Sequence, residues 1–420
     1  MKKEGKPQKE KLRRRRFGVR LPHERRGVAK LGGQIKKGRE GEVTGQPGGP
    51  TNHGIGSVSV VVLNYNGRRF LKDCFESLFA QSFKNFEAIF VDNASHDDSV
   101  EFMRGRFARE LTAGKLKIVV NERNEGFCEG NNIGVRAADP KSEYICLVNN
   151  DVILDGRWLE KLVDGIAANP NVGLIGTNAK NVGYEYQFEK MCTGRYTWTS
   201  GISGNTCMRE VAPDEVFKNN VLWQMVAVGN GMLYRRGLVG EPFDKDYFAY
   251  SEDWLLSLIT MIKGYDCAIA LDARLTHLFS QTRRADHRLD RRLLYLGHRN
   301  LLMTFLIGFQ PKTIAKLLPV LLLGQIGLVV FNPKYFFPLL RGWGWLAWNW
   351  RSVLAKRGKV QEHRRVGDEG IIRRMSYRLV DDSLPEFSAA HRLLVRTAGG
   401  LLYFYCKVFG IAVWEFQKHG

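Results

Sequence analysis

Hydrophobic positions between residues 58 and 176 follow two alternating patterns. Continuous β-branched runs such as Val58–Leu63 are typical of strands buried on both faces of a sheet, and the segments between them carry apolar residues at helical spacing. The alternation predicts βαβ units, and therefore an α/β fold with a mainly parallel central sheet. Strands are predicted at 58–63, 86–91, 115–120, 144–148 and 172–176, and helices at 70–79, 100–107, 126–138 and 158–168.

The pattern changes after residue 176. Residues 177–222 have little periodicity, which predicts a variable loop region over the edge of the sheet. Trp223–Tyr234 is strand-like. Ser251 then has the character of an N-cap for a helix that runs to Lys263, and Gly264 is expected to end that helix.

Polar residues follow three of the predicted strands, at Asn64–Gly67, Asp92–Ser95 and Asn149–Asp151. In parallel sheets, ligands bind beyond the carboxyl ends of the strands. Asn and Asp also suit turns and caps, which is the better explanation for any single one of these ends. Three polar ends on one edge favour a ligand site.

The C-terminal third is rich in apolar residues but interrupted. The run Leu317–Phe331 is shorter than the ~20 residues that span a bilayer, and Lys316 and Pro319 oppose a spanning helix. Residues 341–351 set four tryptophans between two arginines, a composition that membrane interfaces favour. We expect a helical region attached to a membrane surface in-plane or by re-entrant segments. The alternative is a hydrophobic subdomain packed on the sheet.

Composition is ordinary but charge is not. The 420 residues are 44% hydrophobic and 25% charged, which excludes a wholly disordered chain, a collagen or a multispanning membrane protein. The net charge is +20, and residues 1–50 contribute 16 basic and 5 acidic side chains. Residues 1–57 are therefore predicted to be a disordered basic tail, either merely solvated or attracted to a polyanion such as anionic lipid.

Cysteine usage and known motifs exclude several classes. The seven cysteines include no CxxC pair, which argues against a disulfide framework or a structural zinc site, and no secretory signal is visible. A reducing cytoplasm is the default compartment. P-loop, HExxH and GxSxG motifs do not occur, and no GxGxxG follows a strand, which disfavours nucleotide hydrolases and dehydrogenases.

Carboxylates remain as the candidate chemistry. Asp92 could accept a hydrogen bond from the imide N–H of a pyrimidine base, and Asp151 could hold Mg²⁺ or Mn²⁺ together with phosphate oxygens. Asp253 could be a general base that deprotonates a hydroxyl. Its position in the first turn of a helix also suits the helix dipole, and by position alone that explanation is the better one.

The segments VSVVVLNYNG, FEAIFVDNAS, NEGFCEGNNIG, YICLVNND and SEDWLL, in this order, resemble family 2 glycosyltransferases, which are inverting, nucleotide-sugar-dependent enzymes of GT-A fold. The resemblance covers roughly residues 57–300. It implies that Asp253, in the pair Glu252–Asp253, is the catalytic base and that Asp151 binds a divalent metal, which His277 could also hold. It also implies a nucleotide-sugar site formed by Leu63, Tyr65, Asp92, Asn93, Asn124, Gly126, Asn131, Asn149 and Asn150.

One departure from the family pattern concerns the metal motif, Asp-x-Asp in the family, which begins here with Asn149. A single carboxylate weakens the expected affinity for Mg²⁺ or Mn²⁺. Within the family the chain looks most like bacterial rhamnosyltransferase-type enzymes, which implies transfer of a rhamnosyl or other hexosyl group. That resemblance implies a dTDP-rhamnose or other dTDP- or UDP-sugar donor and a polyprenyl-diphosphate-linked glycan acceptor, as in cell-surface polysaccharide synthesis at the cytoplasmic face of the inner membrane.

Three domains are expected: a tail at 1–57, a GT-A domain at 58–300 and a helical membrane-associating region at 301–420. Two other functions stay open. A glycosyltransferase-like module could bind nucleotide without turnover, and the missing first aspartate favours that reading. A nucleic-acid-binding role of Arg13–Arg16 is supported by charge alone, without a recognised fold motif, and no nucleic-acid partner is expected.

Overall fold

The structure is a computed structural model that describes residues 56–181, 193–196, 205–208, 216–227, 229–278, 287–377 and 389–413. The predicted basic tail, up to residue 55, lies outside the described residues. So does most of the predicted loop region between residues 182 and 215.

The first half of the described chain alternates strands and helices as the hydrophobic pattern predicts. Its elements are β1 (Val58–Asn64), α1 (Arg68–Phe79), β2 (Phe86–Asp92), α2 (Ser99–Arg106), α3 (Ala108–Thr112), β3 (Leu116–Val120), α4 (Gly126–Ala137), β4 (Tyr144–Asn149), β5 (Val152–Leu154), α5 (Trp158–Ala168) and β6 (Val172–Asn181).

The next segment adds shorter strands and the helix that carries the predicted base. Its elements are β7 (Thr193–Tyr196), β8 (Asn205–Met208), β9 (Val216–Phe217), β10 (Val221–Trp223), β11 (Gly231–Arg235), α6 (Arg236–Val239), α7 (Glu252–Ile262) and β12 (Asp266–His277). The prediction of one strand over 223–234 was wrong, because β10 and β11 are separated by non-strand residues 224–230. Gly264 ends α7 at φ +85°, a left-handed conformation that suits glycine.

In the described part of the chain, ten strands form one sheet, in the order β3-β2-β1-β4-β11-β6-β12-β10-β9 with β5 paired to β12. β1 lies parallel to both β2 and β4, and its register pairs Asn64 with Asp92 and Leu63 with Asn149. β11 is antiparallel to β4 and β6, whereas β12 runs parallel to β6. The sheet is mainly parallel in its first half, and the polar ends of β1, β2 and β4 meet at one edge.

The β-branched run of β1 is buried because helices cover both faces of the sheet. Val60 and Val62 face a core that includes Leu71 and Phe75 of α1 and Leu162 of α5. Alternate residues, including Val61, face a second core with contributions from α4 and α7. A strand covered on both faces needs no polar alternation, which explains its continuous apolar sequence.

Helices dominate the C-terminal region: α8 (His287–Gly308), α9 (Pro311–Phe331), α10 (Phe336–Trp348), α11 (Trp350–Glu362), α12 (Asp368–Ile372) and α13 (Ala389–Val408). The predicted domain boundary at residue 300 falls inside α8. Buried residues of α8, such as Leu302 and Met303, join the same core as α7. The helical region is therefore continuous with the core under the sheet.

The expected length of the apolar segment near residue 320 was wrong. α9 is a continuous helix with Pro319 inside it and Pro311 at its first turn. Among the described residues, one helix, Pro311–Val330, is long and apolar enough to cross a membrane, with a mean hydropathy of 2.0. Leu317, Val320 and Leu321 of this helix are buried against the core.

Candidate active site

Asn64, the last residue of β1, connects the polar ends of three strands. Its Nδ2 donates to Asp92 Oδ1 at 3.1 Å and to Ser99 Oγ at 3.0 Å, and Asn150 Nδ2 donates to its Oδ1 at 2.6 Å. Because one amide bonds both β2 and the segment after β4, the three strand ends are fixed relative to one another. Asn64 lies at the polar end of the first strand, as expected, but its role in joining the three ends is visible only in the structure.

Asp92, the predicted partner of a pyrimidine base, is 1% exposed. Its Oδ2 accepts a hydrogen bond from the backbone N–H of Ser95 at 2.9 Å, and its Oδ1 accepts the bond from Asn64. A carboxylate oxygen can accept more than one hydrogen bond, so each oxygen of Asp92 can accept a further bond from a ligand. In this structure Asp92 organises the end of β2, and its contact with a base stays a prediction.

Asn93 holds the loop between β3 and α4. Its Nδ2 donates to Asn124 Oδ1 and to the carbonyl oxygen of Gly126, both at 3.0 Å. Its Oδ1 accepts from Asn121 Nδ2 and from the backbone N–H of Glu125, again at 3.0 Å. Both ends of this buried amide are therefore used to shape the loop, and a direct contact with nucleotide stays a prediction.

The remaining predicted nucleotide residues surround this loop. Tyr65 is exposed beyond the end of β1, and Leu63 lies half-buried against Gly130. Asn131 is buried and donates to the carbonyl oxygen of Phe127 within α4. Gly126 has φ +83°, and an added Cβ there would lie 2.6 Å from the Phe248 ring, so glycine is required for both reasons. Tyr65 and Asn124 are exposed at this edge of the sheet, whereas Gly126 and Asn131 are buried, and the contact of all four with a nucleotide stays a prediction.

Asp151 and His277 come together after β4 and at the end of β12. His277 Nε2 lies 3.1 Å from Asp151 Oδ1, and the backbone N–H of Leu278 donates to the carbonyl oxygen of Asp151 at 2.8 Å. The described residues include no group of three or more His, Cys, Asp or Glu side chains suited to a metal ion. One carboxylate and one imidazole fit a cation that takes its other ligands from phosphate oxygens and water. Asn150 is bonded to Asn64 instead.

Glu252 and Asp253 begin α7, and both carboxyl groups have raised pKa values. Burial raises the pKa of Asp253 to about 6, against the lowering effect of backbone hydrogen bonds from Trp254 and Gly229. Burial, followed by the charge of Asp253, raises the pKa of Glu252 to about 8. Two adjacent carboxyl groups resist double ionisation, so the pair holds a proton near neutral pH.

A short segment joins the predicted base to the predicted metal residues. The carbonyl oxygen of Asn230 accepts a hydrogen bond from the backbone N–H of Asn149 at 3.3 Å, and the preceding residue, Gly229, bonds Asp253. Asn230 is 8% exposed, and among the described residues neither its Oδ1 nor Glu252 Oε2 has a hydrogen-bond partner. Sequence reasoning missed Asn230, because the GNG segment reads as part of a strand.

Part of the chain is similar to known glycosyltransferases. Residues 59–225 match the family model described as glycosyl transferase family 2. The glycosyltransferase GlyG of Streptococcus pneumoniae is 26% identical over 38% of this chain and 48% of its own length. An uncharacterized glycosyltransferase of Haemophilus influenzae is 25% identical over 47% of this chain and 58% of its own. Residues 59–225 therefore resemble family 2 glycosyltransferases, and the large, mainly parallel sheet agrees with the GT-A fold that this resemblance implies.

The chain spans about half the length of these curated relatives. Among solved structures, the GalNAc-T7 complex with UDP, GalNAc and Mn²⁺ is 14% identical, with a TM-score of 0.49 over 63% of this chain and 51% of that one. Staphylococcus aureus TarS 1-349 is 15% identical, with a TM-score of 0.45 over 84% of this chain and 90% of that one.

Proposed function

We propose that this protein is an inverting glycosyltransferase that moves a sugar from a nucleoside diphosphate to a hydroxyl of a lipid-linked glycan. The observation that carries the proposal is the position of Asp253, whose pKa is raised to about 6, next to Gly229 and Asn230. Asn230 in turn bonds Asn149, two residues before Asp151. A base and a cation site on either side of one short segment suit a reaction that removes a proton and expels a diphosphate.

Asp253 would take the proton of the acceptor hydroxyl as its oxygen attacks the anomeric carbon from the face opposite the leaving group. A single displacement of this kind inverts the anomeric configuration. A general base works best when its pKa lies near the operating pH, and the raised pKa of Asp253 meets that condition. Glu252, with a pKa raised to about 8, would stay protonated and limit the negative charge beside the base.

Asp151 and His277 are the residues that would hold Mg²⁺ or Mn²⁺. When bound, a divalent cation supplies positive charge that neutralises a departing diphosphate. Asn150, next to Asp151, bonds Asn64 at the end of β1. This bond would hold the segment that carries Asp151 in place relative to the predicted nucleotide residues at the ends of β1 and β2.

The donor that we favour is dTDP-rhamnose or another dTDP- or UDP-sugar. The support is the resemblance of the VVLNYNG and NND segments to bacterial rhamnosyltransferases, together with a buried carboxylate, Asp92, at the position where a pyrimidine imide would be recognised. Rhamnosyl and other hexosyl transfer fit this site equally well in charge.

We propose further that the helical region attaches the enzyme to the cytoplasmic face of a bacterial inner membrane, near a polyprenyl-linked acceptor. Three helices expose large apolar side chains, and Trp348 is 89% exposed. Large exposed apolar side chains in such number favour an interaction with an apolar partner, and the exposed Arg341, Arg351 and Lys407 suit anionic lipid. The exposed apolar residues, named here the apolar patch, are Leu322, Leu323, Ile326, Val330, Phe336, Phe337, Leu340, Trp348, Leu401, Phe404 and Val408.

In-plane attachment explains α9 better than a span does. One side of this helix is buried against the protein core through Leu317, Val320 and Leu321, and Gln325 Oε1 accepts a hydrogen bond from Trp343 of α10 at 2.9 Å. A helix crossing the bilayer would give up these contacts. A helix lying in the interface keeps them and buries its other face in lipid.

Vesicle flotation tests the membrane proposal. The double variant F337S/W348S should lose most of its binding to vesicles that contain phosphatidylglycerol, while V216S, at an exposed apolar position on the edge strand β9, should bind like the wild type. Equal flotation of all three proteins would contradict the assignment of the apolar patch.

Ligand binding and turnover test the reaction. At ~100 times Kd a nucleotide stabilises the fold by about 2.7 kcal/mol, which raises Tm by roughly 5–10 °C. We expect Mn²⁺-dependent shifts with dTDP or UDP and none with NAD, and release of nucleoside diphosphate from the matching sugar donor. Binding without turnover on any polyprenyl-diphosphate-linked acceptor would favour the non-catalytic module, which the amide of Asn149 in the metal motif also favours.

A further inference from the structure

The turn before the predicted base has an unusual backbone. Phe248, Tyr250 and Ser251 have φ values of +61°, +73° and +62°, and none of them is glycine. Left-handed conformations of such residues cost of order 1–3 kcal/mol each and persist only where surrounding contacts enforce them. Ser251 makes no side-chain capping bond to α7, so the expected N-cap does not explain this geometry.

Asn300 of α8 supplies a large part of the enforcing contacts. It is fully buried, and its Nδ2 lies 2.9 Å from the carbonyl oxygens of Tyr247 and Ala249 and 2.7 Å from that of Tyr250. One side-chain amide thus collects three carbonyls of a four-residue stretch, and the two hydrogens it can donate are shared among them. A regular strand or helix would not direct these carbonyls to one point.

Arg299 fixes the orientation of that amide. Its guanidinium donates to Asn300 Oδ1 from Nη2 at 2.6 Å and from Nε at 2.9 Å. The same group donates to the carbonyl oxygens of Asp246 and Tyr247, and it lies 4.6 Å from the Trp345 ring of α10. With its oxygen held by arginine, the Asn300 amide can present only its nitrogen to the turn.

The other side of the turn contacts the start of α4, which carries several of the predicted nucleotide residues. The carbonyl oxygen of Phe248 accepts from the backbone N–H of Phe127 at 2.7 Å and of Cys128 at 3.1 Å, at the start of α4. The turn is therefore held between α4 and α8. Releasing it on the α8 side would leave the Phe248 anchor intact and free the residues that lead into Asp253.

We propose that Arg299 and Asn300 are positioning residues that hold the 247–251 turn so that Asp253 faces the acceptor hydroxyl. This inference rests on the proposed function for the role of Asp253, but the contacts to the turn stand by themselves. Neither side chain touches the reacting atoms. Their effect is on the backbone of the turn, and displacement of a catalytic group by ~1 Å is enough to cost about 10²-fold in rate.

The test compares N300A with Q361A in the full-length protein. Gln361 is the matched control, because its side-chain amide also bonds two carbonyls of α8, those of Ile307 and Gly308 at 2.8 Å, away from the turn. Hydrogen exchange of a peptide covering residues 245–256 should accelerate about tenfold or more in N300A and not in Q361A, since the amides of Phe248, Ala249 and Leu255 bond within this segment.

Kinetics with the dTDP- or UDP-sugar that the wild type turns over supply a second measurement. We expect kcat of N300A to fall about 10²-fold, with the donor KM within about twofold, and Q361A to stay close to wild type. The acid limb of the N300A pH profile should move to lower pH, because a loosened turn admits water to Asp253. A structural role alone would not move that limb.

R299K carries the same test in a milder form if N300A does not fold, because lysine cannot hold the amide and two carbonyls at once. Equal exchange and equal kcat in N300A or R299K and in Q361A would overturn the positioning role. Absence of wild-type turnover with every donor would instead refute the proposed function, and the exchange comparison would still decide whether Arg299 and Asn300 hold the turn.

Discussion

The two halves of the candidate site are held in different ways. On the nucleotide half, the side chains at the strand ends bond one another, as Asn64 does with Asp92 and Asn150. On the base half, Asp253 follows a turn whose carbonyls are held by Asn300, about fifty residues later in the chain. The residues that shape the first half are also those expected to meet the ligand, whereas those that shape the second lie behind it.

This difference predicts that binding and turnover can be separated. Substitutions at Asp92 or Asn93 would disturb the loop geometry and the expected ligand contacts together, because the same side chains serve both. Substitutions of side chains on the base half would leave the nucleotide loops intact, since backbone bonds of Asn230 and Phe248, which do not depend on those side chains, join the two halves. The predictions below test that separation.

D253N should have the largest effect. Removing the base should lower kcat about 10³-fold, because general-base catalysis contributes 10²–10⁴-fold, while the shift of Tm by dTDP or UDP should persist. D272N is the control, since Asp272 is an exposed carboxylate on the same sheet. Transfer by D253N at a rate near that of the wild type would refute the base assignment and, with it, the contrast between the two halves.

H277A should weaken the binding of Mn²⁺ and leave the base, Asp253, unaffected. Without the imidazole 3.1 Å from Asp151, we expect the Mn²⁺ concentration for half-maximal activity to rise about 10–100-fold. At saturating Mn²⁺ much of kcat should return, because Asp151 remains. H298A would be a poor control, since that residue is buried, but H363A removes an exposed histidine and should leave the Mn²⁺ titration unchanged. Equal Mn²⁺ titrations of H277A and wild type would exclude His277 from the metal site.

The sequence predicts the nucleotide half better than the base half for a physical reason. Strand ends follow directly from hydrophobic runs, and parallel pairing brings Asn64, Asp92 and Asn149 to one edge without further information. The 247–251 turn depends on a contact with α8 that no local pattern encodes. Arg299 and Asn300 are visible in the sequence only as the polar residues that precede an apolar segment.

Local rules also failed where tertiary contacts decide. The apolar run Leu317–Phe331 is shorter than α9, which extends from Pro311 to Phe331 because one side is packed on the core and Lys316 donates to the carbonyl oxygen of Phe409 at 2.6 Å. That Lys316 and Pro319 oppose a membrane span stays a prediction. The strand expected over 223–234 is interrupted because Gly229 and Asn230 turn toward Asp253 and Asn149. The first of these differences lies in the helical C-terminal region, and the second lies beside Asp253.

The pH dependence should distinguish the two halves, because kcat/KM should fall about tenfold per pH unit below the pKa of Asp253 and nucleotide binding should not. Below about pH 6 the Asp253 carboxyl becomes protonated, so kcat/KM should fall with decreasing pH. Nucleotide binding, measured by the Tm shift with dTDP or UDP, should change less over pH 5–7. A loss of binding that parallels the loss of activity would place the titrating group on the nucleotide half and contradict the assignment to Asp253.

E252Q should have the smallest effect, and it concerns stability. Burial raises the pKa of Glu252 from 4.5 to about 8, so the folded protein binds a proton that the unfolded chain releases. The free energy of unfolding then falls as pH rises from about 4.5 to 8, because over this range unfolding releases the Glu252 proton and higher pH favours that release. E252Q keeps the neutral form at every pH. We therefore expect equal Tm values near pH 4.5 and a Tm for E252Q roughly 3–8 °C above wild type near pH 8.5.

The control for this comparison is E362Q, which changes an exposed glutamate at the end of α11 and should follow the wild-type Tm at both pH values. The sign of the E252Q effect is the informative result. If E252Q were less stable than wild type at pH 8.5, the Glu252 carboxylate would be making a stabilising bond in the folded state. The base half would then be held by charge at Glu252 as well as by the α8 contacts to the turn.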